Sequence, residues 1–176
     1  MPQNDLEKEE APPLFGFELT LQASDFQTEW KRCNMLANYL AEYVAYQFNQ
    51  HERVENIIST IANELLEAVV RLAPADSALS IRCTQVEDGL QLDTEHLIRA
   101  EALASYQTFL DELNSTDLDQ LYLDLLTTDA QPSEYFNQLG LVMIPHDFGV
   151  GLTSYQDENT DHICTRIFVP TQELSL

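Results

Sequence analysis

Basic residues are scarce in this sequence, where eight lysines and arginines stand against thirty aspartates and glutamates and the formal net charge is −22. Such a charge repels nucleic acid phosphates and anionic membrane headgroups within a Debye length, about 8 Å at physiological salt. Long apolar runs are also missing, and no stretch approaches the roughly 20 residues that a membrane helix needs. The composition argues against nucleic acid and membrane as partners and favours neutral or basic proteins.

Paired metal-binding and disulfide motifs are absent from the sequence as well. The three cysteines, Cys33, Cys83 and Cys164, are odd in number, far apart and without C-x-x-C spacing, and no secretory signal precedes them. The four histidines lack the spacing of a zinc site. These absences predict buried free thiols in a cytoplasmic protein and no metal centre.

The first 13 residues differ in character from the rest. They are acidic, contain Pro12 and Pro13 and have no apolar h-region, which predicts a flexible tail over residues 1–13. A chain of 176 residues is long enough for one core and short for two. Residues 14–176 are therefore predicted to form a single domain.

The N-terminal half is predicted to form one strand followed by two long helices. Apolar and polar residues alternate over 15–22, as in a half-buried strand. Apolar residues then recur at helical spacing over 25–49, with Ser24 or Asp25 as the N-cap and Met35, Tyr39 and Tyr43 among the apolar positions. Residues 52–72 predict a second amphipathic helix that packs on the first.

The second half alternates strands and helices. A β-hairpin is predicted from strands at 77–87 and 90–94 joined by a turn at Asp88 and Gly89, and helices are predicted over 99–114 and 117–127. A short apolar stretch, a break and a final pair of strands follow, at 139–144, 145–149, 150–156 and 163–169, with a polar turn at 157–161. This order predicts an α+β two-layer sandwich, with helices on one face of a mixed β-sheet.

Residues 62–74, ANELLEAVVRLAP, resemble the N-box of the GHKL ATPase superfamily, in its bacterial anti-sigma-factor and serine-kinase branch. In that branch, a Mg²⁺-binding Asn follows the Glu of a Glu-Leu pair by four residues; here the pair is Glu64 and Leu65, and the position is Ala68. The order of elements over most of 15–170 is similar too, and SiaB-type partner-switching kinases and related cyanobacterial regulators fit best. The resemblance implies a Bergerat-like ATPase fold.

The resemblance also implies where a nucleotide site would lie. Glu64 would be the general base of a kinase, Asp93 the adenine-binding Asp of the D-x-G-x-G box, and Gly140 the remaining glycine of the phosphate-binding G-x-G-L box. Neither box glycine follows Asp93, and Ala68 offers no oxygen to Mg²⁺. A literal D-x-G-x-G at 147–151 comes too late in the chain and is interpreted as glycines entering a strand. For Glu64 itself, the outer face of a core helix is the alternative to catalysis.

Three functional hypotheses follow. The first is a non-catalytic, pseudokinase-like regulator without a cofactor, which binds a STAS-domain or anti-anti-sigma-type partner; a homodimer stays open. The second is an ATP- and Mg²⁺-dependent serine/threonine kinase that phosphorylates such a partner. The third is an acidic binding module for another ligand, in a cavity between the N-box helix and loops near 94–99 and 137–149, where His96, His146 and Phe148 would contribute.

Overall fold

Five strands form one sheet in the computed structural model, which describes residues 15–127, 133–157 and 162–175. In chain order they are β1 Phe15–Gln22, β2 Ala78–Val86, β3 Gly89–His96, β4 Gly151–Gln156 and β5 Ile163–Pro170. The order across the sheet is β1-β2-β3-β5-β4, and each neighbouring pair is antiparallel. The prediction of a mixed sheet was therefore wrong. The pairs β2–β3 and β4–β5 are hairpins, whose strands must run antiparallel, and the pairs β1–β2 and β3–β5 are antiparallel as well.

Seven helices accompany the sheet within the described ranges. They are α1 Ala23–Gln27, α2 Lys31–Ala45, α3 His51–Leu72, α4 Ala100–Ser115, α5 Leu118–Thr127, α6 Gln138–Phe148 and α7 Thr171–Ser175. None of these helices is both long and apolar enough to cross a membrane. The predicted α+β class is confirmed.

The sheet buries one face and leaves the other open. Side chains of strands alternate between the two faces, and the buried positions of the inner strands are occupied mainly by aliphatic residues: Leu79, Ile81, Leu90, Leu92, Ile163, Ile167 and Val169. The intervening positions carry polar groups such as Arg82, Asp93 and Arg166. The helices therefore cover one face only, as predicted, and the buried apolar residues form one core cluster.

Several predicted elements match the structure closely. Strand β1 has the predicted bounds, α3 begins one residue early, and α2 packs along α3 as expected. In the β2–β3 hairpin Val86 pairs with Gly89, so the turn residues are Glu87 and Asp88, one position before the predicted turn. The predicted tail over 1–13 and residues 158–161 of the predicted polar turn lie outside the described residues.

The single helix predicted over 25–49 is interrupted. Helix α1 starts at Ala23, without a side-chain cap from Ser24 or Asp25, because the N–H groups of Ala23 and Ser24 donate to the carbonyls of Ser77 and Ala75. It ends where the Thr28 hydroxyl donates back to Ser24 O at 3.0 Å, a bond that competes with helix continuation. Helix α2 follows from Lys31 and stops at Ala45, four residues before the predicted end.

The apolar stretch at 139–144 and the predicted break after it form one helix, α6. Pro145 lies inside this helix, which ends where Gly149 adopts a left-handed φ of 61° and donates its N–H to Pro145 O at 3.1 Å. A left-handed residue after the last helical turn favours glycine. The literal D-x-G-x-G at 147–151 is thus a helix terminator followed by Gly151, the first residue of β4, in line with the interpretation of its glycines.

The three cysteines are free thiols, as predicted. Cys33 and Cys83 are buried, whereas Cys164 is half-buried on the open side of β5. Burial raises the pKa of Cys33 to about 11 and that of Cys83 to about 12. Both thiols are therefore protonated and unreactive at neutral pH.

Candidate functional site

Helices α3 and α6 bring two of the three predicted nucleotide-site residues together. Glu64 lies in the middle of α3, and its carboxylate sits against Gly140 in the first turn of α6: a Cβ added to Gly140 would collide with it. Burial, and to a smaller extent the negative charge of Glu67, raises the pKa of Glu64. A larger residue at position 140 would therefore require the end of the Glu64 side chain to move.

The predicted phosphate-binding loop is the start of a capped helix. The Asn137 side chain accepts a hydrogen bond from Gly140 N at 3.2 Å, which satisfies one of the free amides at the N-terminus of α6. The amide that a phosphate would need is thus already bonded, and the Glu64 carboxylate lies beside it. A nucleotide phosphate placed here would meet negative charge rather than a cradle of free N–H groups.

Asp93 lies in a different part of the molecule. It belongs to β3, the second strand of the predicted hairpin, and it occupies the open face of the sheet between the buried residues Leu92 and Thr94. Its carboxylate accepts from Arg166 Nε at 2.8 Å and from a second guanidinium nitrogen at 3.2 Å. The structure therefore separates Asp93 from Glu64 and Gly140 and engages it in a bidentate ion pair.

Ala68 stands where the GHKL resemblance would place a Mg²⁺-binding Asn, and it is only 2% exposed, as part of the hydrophobic core. Its methyl group faces the core and cannot coordinate a hard cation. In the described part of the chain, no group of three or more histidine, cysteine and carboxylate side chains is arranged to hold a metal ion.

The residues proposed for a repurposed cavity lie in regular structure, not in loops. His96 ends β3 and is completely buried; its Nδ1 lies 2.8 Å from Leu97 O, its Nε2 has no partner among the described residues, and burial lowers its pKa to about 4. His146 and Phe148 belong to α6, and the His146 ring stacks on Tyr122 of α5 at 4.0 Å. The loops expected near 94–99 and 137–149 are thus largely strand and helix.

Helix α2 and its C-cap residue Tyr46 expose a row of large side chains. The sequence interpretation had counted Met35, Tyr39 and Tyr43 among the apolar positions of this helix but not Tyr46. Met35, Tyr39, Tyr43 and Tyr46 are between 46% and 69% exposed. The Tyr39 and Tyr43 rings stack at 6.3 Å, and Tyr43 also contacts the Phe15 and Phe17 rings of β1, each at 5.4 Å. We call Met35, Tyr39, Tyr43 and Tyr46 the tyrosine surface.

An acidic notch adjoins one end of the tyrosine surface. Tyr46 forms part of its wall together with Glu42 of α2 and His51 and Glu55 of α3, and the volume is about 100 Å³. The Tyr46 ring lies 5.6 Å from the His51 ring. Two carboxylates beside an exposed aromatic ring form a suitable environment for a lysine or arginine side chain.

The sequence contained a signal for the tyrosine surface. Met35, Tyr39, Tyr43 and Tyr46 follow one another at steps of four, four and three residues, on the side of α2 opposite to the buried Ala37, Leu40, Ala41 and Val44. A helix with one partner needs one apolar face, so a second apolar face indicates a second partner.

The fold and the site together define a two-layer α+β protein with an open polar sheet face and an exposed aromatic helix. No protein-family model matches the chain, and a search of curated proteins finds no match.

Proposed function

We propose that the protein is a non-catalytic, GHKL-like regulator that acts by binding another protein through the tyrosine surface. The setting would be a bacterial partner-switching or signalling pathway in the cytoplasm, and the partner a STAS-domain or anti-anti-sigma-type protein. The tyrosine surface is the single observation that carries this proposal, because it is an apolar surface on a rigid helix that nothing in the described residues covers.

The composition of the tyrosine surface favours protein binding. Tyrosine and methionine are enriched in protein interfaces, and tyrosine is frequent among the residues that contribute most to affinity. Tyr43 is fixed by ring contacts with Phe15 and Phe17, so part of the surface is ordered before a partner arrives. A preordered aromatic surface loses less side-chain entropy on binding.

The negative charge near the tyrosine surface restricts which partners can bind there. Glu42 and Glu55 of the acidic notch lie next to Tyr46 and would pair with a basic side chain. A second copy of this chain brings a formal charge of −22 to the same place and is disfavoured by repulsion. We therefore propose a partner that presents an apolar patch with a lysine or arginine at its margin.

The arrangement of α3 and α6 supports a function without nucleotide. Glu64 lies against Gly140, Asp93 is held by Arg166 on the open face of the sheet, and Ala68 fills the core. A kinase would require these positions to face one bound nucleotide and its Mg²⁺.

Binding to STAS-domain proteins encoded in the same genome tests the proposal. The variant Met35→Ser/Tyr39→Ser/Tyr46→Ser removes the three most exposed members of the tyrosine surface. Leu123→Ser/Leu126→Ser is the matched control, since these leucines of α5 are also about half exposed. By isothermal calorimetry we expect the triple variant to bind at least about tenfold more weakly, and the control to bind like the wild type. Equal affinity of wild type and triple variant would overturn the assignment of this surface.

Titration with ATP and Mg²⁺ separates the regulator from the kinase. We expect no heat of binding for the wild type, and the Ala68→Asn variant shows whether restoring the Mg²⁺ ligand alone is sufficient. Mg²⁺-dependent binding by the wild type, followed by transfer of labelled phosphate to a serine or threonine of the partner, would replace the proposal with the kinase hypothesis.

A further inference from the structure

A pocket of about 380 Å³ lies where the end of α3 meets the start of α4. Two arginines and two aromatic residues, Arg71, Arg99, Trp30 and Tyr135, contribute to its lining. The volume falls within the range of small-molecule sites, roughly 300–1,000 Å³. Two of the eight basic residues of a strongly acidic chain thus converge on one cavity.

Arg71 has no acidic partner among the described residues. Its guanidinium carbon lies 4.5 Å from the centroid of the Trp30 ring, and its guanidinium forms no hydrogen bond or ion pair with the described residues. Stacking on an aromatic ring occupies the flat side of a guanidinium and leaves its in-plane N–H donors available. Arg71 is exposed, so these donors face solvent, and the contact with Trp30 orders them for a ligand.

Arg99 also lines the pocket and is held in place by several contacts. It donates to Arg71 O at 2.6 Å and to Glu101 at 3.3 Å, its guanidinium carbon lies 5.9 Å from the Tyr135 ring centroid, and its buried Nε has no partner among the described residues. Arg99 is also the N-cap residue of α4, whose N-terminus has no side-chain cap. The positive end of the helix dipole adds to the charge of the two arginines.

Two glutamates oppose this charge, but each has a partner. Glu101 pairs with Arg99, and a hydrogen bond with Glu134, together with the charge of that carboxylate, raises the pKa of Tyr135. Glu134 is therefore directed to the Tyr135 hydroxyl. Glu134 keeps its negative charge in this arrangement, so an oxyanion in the pocket would bind through the in-plane N–H donors of Arg71, which has no carboxylate partner among the described residues.

We propose that this pocket binds a small oxyanion, a phosphate or carboxylate group, through the free edge of Arg71. Arg71 supplies a fork of two N–H donors to the anion, Arg99 adds positive charge to the lining, and Trp30 keeps Arg71 in position. The site is distinct from the tyrosine surface and extends beyond the regulatory function proposed above.

Trp30 makes the site observable, because it is the single tryptophan of the chain and contacts Arg71 directly. Inorganic phosphate is titrated into the full-length protein at constant ionic strength, with NaCl replaced as phosphate is added. We expect a saturable change in Trp30 emission and the same dissociation constant by calorimetry. Acetate and O-phosphoserine, titrated in the same way, distinguish a carboxylate site from a phosphate site and a free anion from a phosphorylated side chain.

The Arg71→Gln variant is expected to bind the preferred anion at least about tenfold more weakly than the wild type. The affinity of Arg71→Lys should lie between those of Arg71→Gln and the wild type, because lysine keeps the positive charge but lacks the two-pronged donor geometry of the guanidinium. Arg53→Gln, at the start of the same helix, is the control and retains wild-type affinity. Circular dichroism at the temperature of the titrations shows whether each variant is folded. A linear response of the wild type to all three anions, or unchanged affinity of Arg71→Gln, overturns the proposal.

Discussion

The most unusual single residue in the core is His96. It is fully buried at the end of β3 and has one ring nitrogen without a partner among the described residues. Burial disfavours the charged imidazolium and lowers the pKa of His96 from 6.5 to about 4. Between pH 4 and pH 6.5, His96 must therefore lose its proton for the chain to fold.

The titration of His96 should be visible in the pH dependence of the free energy of unfolding. Between pH 6.5 and 4 the unfolded chain binds a proton at this position and the folded protein does not, so stability falls as the pH falls. We expect the wild type to lose up to about 3 kcal/mol more than His96→Leu over this window in urea unfolding. His51→Leu, an exposed histidine, is the control and should retain the wild-type decline. Parallel curves for wild type and His96→Leu would show that His96 is not the titrating group.

The sequence predicts which residues lie in a strand where apolar and polar residues alternate clearly. It does not do so where a polar residue is buried. Strand β3 runs to His96, two residues past the predicted end, because the buried Thr94 and His96 interrupt the apolar pattern that marks a strand. The contact between Trp30 and Arg71 could not be predicted, since 41 positions separate them and only the packing of α1 on α3 brings them together.

At the scale of elements, the contact between α3 and α6 joins the N-terminal and C-terminal parts of the helical layer. Its tightest point is Gly140 against the Glu64 carboxylate. Two opposing effects act on an alanine here: it favours the helix by about 1 kcal/mol over glycine, and it overpacks the contact at a cost of about 1–3 kcal/mol. The added methyl would meet the ends of the flexible Glu64 and Asn137 side chains, which can shift, so we expect the two effects to be of similar size while Glu64 is present.

Gly140→Ala is therefore expected to change the free energy of unfolding by less than about 1 kcal/mol in the wild type, and to be more stabilising in a Glu64→Ala background, where the nearest collision is removed. The difference between the two backgrounds is measured by a double-mutant cycle in urea. Gly151→Ala, where an added Cβ has no neighbour within 4 Å, serves as the control and should have the same effect in both backgrounds. Equal effects of Gly140→Ala in the two backgrounds would mean that Gly140 does not meet the Glu64 carboxylate as described.

Helix periodicity identified the long elements but not their boundaries or their partners. Helix α3 was predictable because its apolar residues repeat over 22 positions. The break between α1 and α2 depends on side-chain bonds such as that of Gln27 to Val70 O at 2.8 Å, which link distant segments. Pro145 predicted a break, yet α6 continues through it.

At the scale of the whole molecule, charge is the dominant property. A formal charge of −22 on 176 residues makes the folded state repel itself, and dissolved salt screens this repulsion. The Debye length falls from about 30 Å at 0.01 M to about 10 Å at 0.1 M, so most of the screening is complete at 0.1 M.

The thermal midpoint should therefore rise as NaCl is increased, with most of the rise between 0.01 and 0.1 M. Differential scanning calorimetry at pH 7 measures it, and the same series at pH 4, where many carboxylates are protonated, should give a smaller rise. A midpoint that falls with salt at pH 7 would indicate that attractive ion pairs such as Asp93–Arg166 dominate over net repulsion.

Both outer strands of the sheet leave a backbone edge unpaired within the described residues, one on β1 and one on β4. Such edges are the places where sheets of separate molecules join and grow into aggregates. Strand β4 is only six residues long, and β1 carries Glu18 on its open face. The acidity that restricts the choice of partner thus also guards the sheet against polymerisation, because two molecules that approach edge to edge must first overcome their mutual repulsion.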